Sequence, residues 1–344
     1  MKQLTLLLLL SIFSITIMAQ EVAEVQKSLI TKRTATWCSF CGTWGWTLFD
    51  HLVADNHPKA VMVAAHFGDS QLENPTSLAW VNNLGGSGQP RFYLNNTLQS
   101  ASSGAIQSTR TNIKDQVDQF YTQSPIANTG IALSQNGNQL QIEAKVRFFQ
   151  MAQGEYYLGL YIVEDSISAQ QSGIGMARHK LVLREAVTTN HFGEMLVSGT
   201  VPAGTDIDFQ YSINLSGYDT DQVRIIAVIW KKEGNNYQFV NVETTPELSD
   251  ISVNTRELAA TFPLHVRVLG NPGTHPELQI ISEQTGQLEV SMWNSSGQLI
   301  RTLHQGLLTA GQSIQLPMEA LNPGIYWVRI RQGNILKTER VLIQ

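Results

Sequence analysis

The sequence predicts a multidomain chain, α/β at its front and all-β behind. Three observations predict this. Residues 28–123 alternate strand and helix signals. From about residue 125, Val, Ile, Tyr and Phe alternate with polar residues, the period of half-buried strands. Residues 264–344 read as short strands separated by Gly-bearing turns at Gly286, Gly297 and Gly311. The chain has 344 residues, 42% of them hydrophobic. At about 150 residues per domain that suggests two or three domains with real cores. Only 15% of residues are charged, against about 25% in typical soluble proteins. The net charge of −5 argues against a dedicated nucleic-acid binder.

Residues 1–19 read as a secretory signal peptide. Lys2 precedes an uncharged apolar stretch over residues 4–18, and Ala19 offers a small residue for cleavage. The stretch is shorter than the ~20 residues a spanning helix needs. No other stretch is long and apolar enough to span a bilayer, so no transmembrane segment is expected in the mature chain. Export places the protein in an oxidising compartment, where a cysteine pair persists as a disulfide.

The α/β unit is expected over residues 20–124. Residues 28–35 form its first strand and residues 42–55 a helix. Residues 59–66 (KAVMVAAH) are apolar without alternation, as in a parallel strand buried on both faces. Asn74-Pro75 supplies an N-cap followed by Pro at the first helical position, and Gly85 supplies the stop, so a helix over 75–84 follows. RFYLN at 91–95 is another strand. Ile106, Ile113, Val117, Phe120 and Tyr121 share one face of a helix starting near Ser102. This order implies a sheet with right-handed crossovers and helices on both faces.

A β-sandwich is expected over residues 125–244. Residues 139–149 alternate cleanly, and Asn136-Gly137 before them signals a hairpin. Residues 156–163, 180–188 and 223–230 are further strands. Residues 245–263 lack a long periodicity and read as a linker. The third unit, residues 264–344, ends in the apolar strand Val341-Leu-Ile-Gln344, which should be paired in a sheet, because a free edge invites aggregation.

The chain has two cysteines, Cys38 and Cys41. They fall between a strand and a helix in Trp37-Cys38-Ser39-Phe40-Cys41-Gly42. At a helix N-terminus, unpaired backbone N–H groups stabilise a thiolate. A second thiol one turn later can attack a mixed disulfide and release the product. Gly85-Gly-Ser-Gly-Gln-Pro90 enters a later strand and supplies a proline to pack opposite the pair. These residues resemble the thioredoxin superfamily over about residues 25–123. The resemblance implies that Cys38 is the nucleophile, Cys41 the resolving thiol and Pro90 a cis-proline shaping the substrate groove. Gln89 would offer its backbone to an extended polypeptide, and an exposed Trp37 could contact it.

Two departures matter. Where thioredoxins carry a buried carboxylate that helps deprotonate the second cysteine, this chain has Lys32, with Arg33 beside it. A cation there favours a Cys38 thiolate, but the usual proton acceptor is missing. The intervening Ser39-Phe40 is not the Gly-Pro of reducing thioredoxins, which leaves the redox potential open. Three other readings stand beside exchange chemistry. A structural disulfide would close only a tiny loop. A zinc site on Cys38, Cys41, His51 and His57 has spacing shorter than the zinc-finger norm. A redox-silent fold would serve binding alone.

Four of the seven tryptophans, Trp37, Trp44, Trp46 and Trp80, lie near the cysteine segment, usually the mark of a core. His66 and Asp69 follow the buried strand at its carboxyl end, where α/β sheets bind ligands, and are secondary candidates. The Gly85–Gly88 run lacks the Lys-Ser/Thr of a phosphate loop. Neither a cofactor nor a metal is expected.

Arg178-His179-Lys180-Leu-Val-Leu-Arg184 and Asn190-His191-Phe-Gly193, with the front half, resemble the 28-kilodalton outer membrane protein-related family over residues 25–243. The resemblance implies a thioredoxin-like domain joined to an immunoglobulin-like sandwich, in the cell envelope. His179 and His191 are expected to be structural. Gly270-Asn-Pro272, Trp293-Asn-Ser-Ser-Gly297, Leu321-Asn-Pro-Gly324-Ile-Tyr326 and the terminal KTERVLIQ resemble a type IX secretion C-terminal sorting domain, type A. This implies docking to the outer-membrane export machinery. It also implies a surface sortase that cuts near the linker and either releases the protein or attaches it to an anionic lipopolysaccharide. The expectation is an exported, cell-surface or secreted thiol–disulfide oxidoreductase acting on polypeptides. The competing expectation is a non-catalytic outer-membrane-associated binding or adhesion protein with a structural disulfide.

Overall fold

A computed structural model describes residues 22–248 and, in the C-terminal unit, 264–269, 276–282, 284–294, 296–318, 321–333 and 335–343. The signal-peptide stretch, most of the expected linker and the Gly270-Asn-Pro272 motif lie outside the described residues.

The front of the chain runs β1 (Ser28–Thr34), α1 (Ser39–Gly42), α2 (Trp44–Asn56), β2 (Ala60–His66), α3 (Pro75–Leu84), β3 (Arg91–Leu94), β4 (Thr97–Gln99) and, after one 3-10 turn, α4 (Ile106–Tyr121). β1 pairs parallel to β2 and antiparallel to β3, so it is central, and all seven of its residues are buried. That burial includes Lys32 and Arg33. α3 spans the expected residues because both of its ends are fixed. Asn74 Oδ1 accepts the Ser77 N–H at 2.9 Å while Ser77 Oγ accepts the Asn74 N–H at 3.0 Å, a reciprocal capping box. Gly85, at φ 67°, ends the helix.

The expected single helix over 42–55 begins earlier and is broken. α1 and α2 meet at Thr43, at φ −97° and ψ −104°. The Thr43 hydroxyl donates back to the Ser39 carbonyl at 3.1 Å, closing the first turn.

The middle of the chain is all-β: β5 (Ala127–Asn136), β6 (Gln139–Phe148), β7 (Ala152–Glu164), β8 (Ile167–Gln171), β9 (Gly175–His179), β10 (Val182–Ala186), β11 (Glu194–Val201), β12 (Asp206–Asn214), β13 (Val223–Glu233) and β14 (Asn236–Thr244). Gly137, at φ 57°, turns β5 into β6. β10 is shorter than expected, because Leu181 takes φ 51° and the register with β7 shifts between Leu183 and Glu185. The C-terminal strands are β15 (Leu264–Leu269), β16 (Glu277–Ser282), β17 (Gly286–Asn294), β18 (Leu299–Leu308), β19 (Ser313–Pro317), β20 (Gly324–Gln332) and β21 (Ile335–Ile343). The protein is therefore mostly β-strand with few helices.

The sheets run across these stretches of sequence. One has the order β14-β13-β7-β10-β2-β1-β3-β4, with β11 also paired to β7. Its join is the parallel contact of Val182 in β10 with Ala64 in β2. A second has the order β18-β17-β20-β21-β12-β6-β5, and its join is β12 against β21, parallel. Trp80, Tyr161 and Trp230 stack edge to face at the centre of the first core, with centroids 4.8 and 5.3 Å apart. β8 and β9 form a separate two-stranded hairpin that leaves the first sheet and turns toward α1.

Candidate functional site

Cys38 and Cys41 are joined as a disulfide. Cys38 is the N-cap of α1, and its Sγ accepts the Cys41 N–H at 3.1 Å. Cys41 is fully buried, whereas Cys38 is 7% exposed. Trp37 and Phe40 flank the pair, 47% and 65% exposed. Large apolar side chains this open are an interaction signal when they cluster.

The segment before the cysteines is held by the loop after β2. The Thr36 N–H donates to Ser70 Oγ at 3.1 Å, and Ser70 Oγ lies 2.9 Å from His66 Nδ1. The Trp37 indole N–H donates to the Gly68 carbonyl at 2.6 Å. Asp69 is exposed, with φ 59°, so His66 serves the segment from beneath while Asp69 faces solvent.

The Gln89–Pro90 bond is cis, and Pro90 is buried behind a half-buried Gln89. A methyl group placed on Gly45 would lie 2.9 Å from Pro90 Cγ and 3.1 Å from the Phe40 carbonyl oxygen. Pro90 therefore packs on the first turn of α2, just after the cysteine segment, and the absence of a side chain at Gly45 permits it. Arg33 Nη1 donates to the carbonyls of Gly85 and Gly86, at 3.1 and 2.6 Å, tying the loop before Pro90 to β1.

The Lys32 ammonium contacts the backbone of the cysteine segment. Its Nζ donates to the Cys41 carbonyl at 3.1 Å, and the side chain is 1% exposed. Burial pulls it down to about 7, with Asp50 acting weakly the other way. The hydrogen bond to the Cys38 sulfur comes from the Cys41 N–H.

The β8–β9 hairpin covers the pair from the far side, which sequence reading missed. Gln171 Nε2 donates to the Cys38 carbonyl at 2.7 Å, and the Ser172 N–H to the Thr36 carbonyl at 2.7 Å. A methyl group on Gly42 would lie 2.5 Å from Gln171 Cγ and 2.9 Å from Ile174 Cδ1. Ile174 and Met176 are exposed, so the hairpin carries further exposed apolar side chains, Ile174 beside Gly42. The Gly173 turn signals a hairpin in the sequence, but nothing local says that it docks on a segment so distant along the chain.

Of the other candidates, His51 lies inside α2 and His57 at its C-cap. Among the described residues, no group of three or more His, Cys, Asp or Glu side chains is gathered to hold a metal ion. His179 stacks edge-on against Trp46 at 5.3 Å and faces His66 at 5.4 Å. His191 Nδ1 lies 3.1 Å from Thr76 Oγ1, a structural link. Trp44 packs against Phe92. Among the described residues, no helix is long and apolar enough to cross a membrane.

Comparisons with known proteins bear on the C-terminal part of the chain and on the fold. Residues 271–344 match the secretion system C-terminal sorting domain, so the protein carries a type IX sorting signal and is exported to the cell surface or beyond. HBP35 of Porphyromonas gingivalis matches in structure with a TM-score of 0.56 and 16% identity, over 94% of this chain and 100% of that one. At that identity the likeness is one of fold. The BSP domain of a biofilm associated protein aligns with a TM-score of 0.19 and 9% identity, over 74% of this chain and 59% of that one. A beta-glycosidase from Bacteroides vulgatus aligns with a TM-score of 0.18 and 7% identity, over 67% and 26%. No curated protein sequence matches the chain.

Proposed function

We propose that this protein is a thioredoxin-like thiol–disulfide oxidoreductase that acts on polypeptides at the cell surface or in the surrounding medium. The observation that carries the reading is the asymmetry of the cysteine pair. Cys41 is sealed, while Cys38 sits at the edge of an open apolar surface with a backbone N–H on its sulfur. In the reduced protein the Cys38 thiolate attacks a substrate disulfide, forming a mixed disulfide and expelling one substrate thiolate. Cys41, after losing its proton, attacks Cys38 Sγ and expels the second substrate thiolate. Two electrons pass to the substrate, and the Cys38–Cys41 disulfide reforms. The reverse sequence oxidises a substrate dithiol.

Several observations support the reading. The order of α and β elements from β1 to α4, with β1 parallel to β2 and antiparallel to β3, suits a thioredoxin-like unit. Pro90 beside Gly45 suits a substrate groove, with Gln89 offering its backbone and Trp37 and Phe40 contacting the peptide. The domain limits of 20–124, 125–244 and 264–344, an immunoglobulin-like middle unit and a cleaved signal peptide at 1–19 belong to the same proposal. So does a surface sortase that cuts near residues 245–263 and either releases the protein or attaches it to an anionic lipopolysaccharide.

The test is exchange between the reduced protein and a peptide disulfide. Cys38→Ser should reduce the rate at least about a hundredfold, and the Cys38 thiol should titrate below the usual value of about 8.5. An ordinary thiol pKa together with an unchanged rate in Cys38→Ser would sink the proposal. The disulfide would then be a staple in a binding protein.

A further inference from the structure

A cavity lies beneath the cysteine segment, where Lys32 reaches the Cys41 carbonyl. Its volume is about 220 Å³, and Lys32, Trp46, Phe49, Ala64, His66 and His179 line it. A cavity of about 150 Å³ holds benzene, so this one has room for an aromatic ring and a small substituent. Trp46, Phe49 and Ala64 give it an apolar body. Its polar groups are overwhelmingly basic.

Lys32 Nζ lies 5.9 and 5.4 Å from the ring centroids of Trp46 and Phe49. An ammonium has three protons to donate, and one goes to the Cys41 carbonyl. Among the described residues Lys32 forms no ion pair. His179 is 2% exposed, and its Nε2 has no hydrogen-bond partner among the described residues. Buried polar groups left this way are costly unless a ligand completes them.

Charged groups face Lys32 from each packed element. Asp50 comes from α2 and is already engaged by Lys180 at 2.9 Å, an ion pair about half exposed on the solvent side. His66 comes from β2, Arg178 and His179 from β9, and Lys180 follows β9. Burial pushes His66 well down, with His179 and Lys32 adding to it, and burial followed by Lys32 pushes His179 down. The cations here disfavour one another, and an anion in their midst would reverse that.

We propose that this cavity is a binding site for a small aromatic monocarboxylate, its ring against Trp46 and Phe49 and its carboxylate on Lys32 Nζ and His179 Nε2. A carboxylate there favours the protonated forms of both groups. Binding therefore takes up protons, and affinity falls as pH rises through about 7, where Lys32 titrates in the free protein. The site is independent of the redox reading, because the oxidised protein forms it.

The test is calorimetric titration of the full-length oxidised protein with sodium benzoate and with neutral benzyl alcohol, at pH 6 and pH 9. Benzoate should bind one to one at pH 6, about tenfold or more tighter than benzyl alcohol, and lose about tenfold or more by pH 9. Lys32→Met should bring benzoate to the level of benzyl alcohol, and Ala64→Leu, which fills the cavity, should abolish binding of both. No saturation by about 10 mM benzoate, or equal affinity for the two probes, overturns the proposal. So does benzoate binding that Lys32→Met and Ala64→Leu leave intact. If either variant fails to fold, the charge preference and pH profile of the wild-type protein decide the matter alone.

Discussion

Lys32 carries a charge that the protein interior opposes. Its folded pKa, about 7, lies below the ordinary value of 10.5. Between those values the unfolded chain binds the proton and the folded chain does not, so stability rises with pH across that window. Below about pH 7 the folded protein must hold the buried ammonium, and the cost is complete. At about 1.4 kcal/mol per unit, the span from 10.5 to about 7 corresponds to about 5 kcal/mol. Lys32→Met removes the titration and leaves the Cys41 carbonyl without its donor, a pH-independent loss of about 1–3 kcal/mol. The stability of Lys32→Met relative to wild type should therefore be most favourable at pH 6 and decline steadily to pH 10. Urea denaturation of both proteins across that range measures it, and a difference that stays flat with pH would mean that Lys32 titrates normally in the fold. Sequence places a cation near the pair but not its contact. The lysine stem is long enough to reach the Cys41 carbonyl.

The elements that local chemistry fixes were legible in the sequence, and those fixed by distant contacts were not. α3 occupies its expected residues because Asn74, Ser77 and Gly85 cap it without outside help. β2 reads as a buried run because neighbouring strands and helices cover it. The break at Thr43 and the docking of β8–β9 have no such local signature, since Gln171 and Ile174 press on Gly42 from far along the chain. Gly45 is the sharpest case. Alanine there would add about 1 kcal/mol of helix propensity in isolation. Here the added methyl meets Pro90 Cγ at 2.9 Å and the Phe40 carbonyl at 3.1 Å, neither of which is a flexible side-chain end. Gly45→Ala should lower stability despite the propensity gain, by about 1–3 kcal/mol, and should slow exchange by displacing Pro90 from the first turn of α2. Thermal unfolding and the peptide-disulfide assay test both effects, and a variant as stable and as active as wild type would show that this contact is slack.

At the scale of the whole molecule, the sheets join stretches that the sequence suggests as separate units. β12 pairs with β21 from Asp208↔Ile335 to Tyr211↔Thr338, Leu336 enters the middle core, and Arg329 Nη1 meets Glu194 Oε2 at 3.3 Å. Periodicity reveals each strand but not its partner, so this joint could not be read from sequence. It changes how the sorting signal must be tested. Deleting residues 264–344 strips β12 of a neighbour and exposes an edge that includes Phe209 and Tyr211, so the truncated protein could be retained because it misfolds or aggregates. The opposite experiment separates addressing from folding. The C-terminal strands have their own apolar cluster, including Leu278, Ile280, Val290, Met292, Val328 and Ile330, all fully buried. Residues 249–344 fused behind a periplasmic leader and a neutral carrier should therefore carry that carrier across the outer membrane of a type IX-competent host. Surface labelling with an impermeant reagent reads the outcome. A carrier that stays in the periplasm while the fusion is soluble and intact would show that the signal works only when β21 is docked on β12.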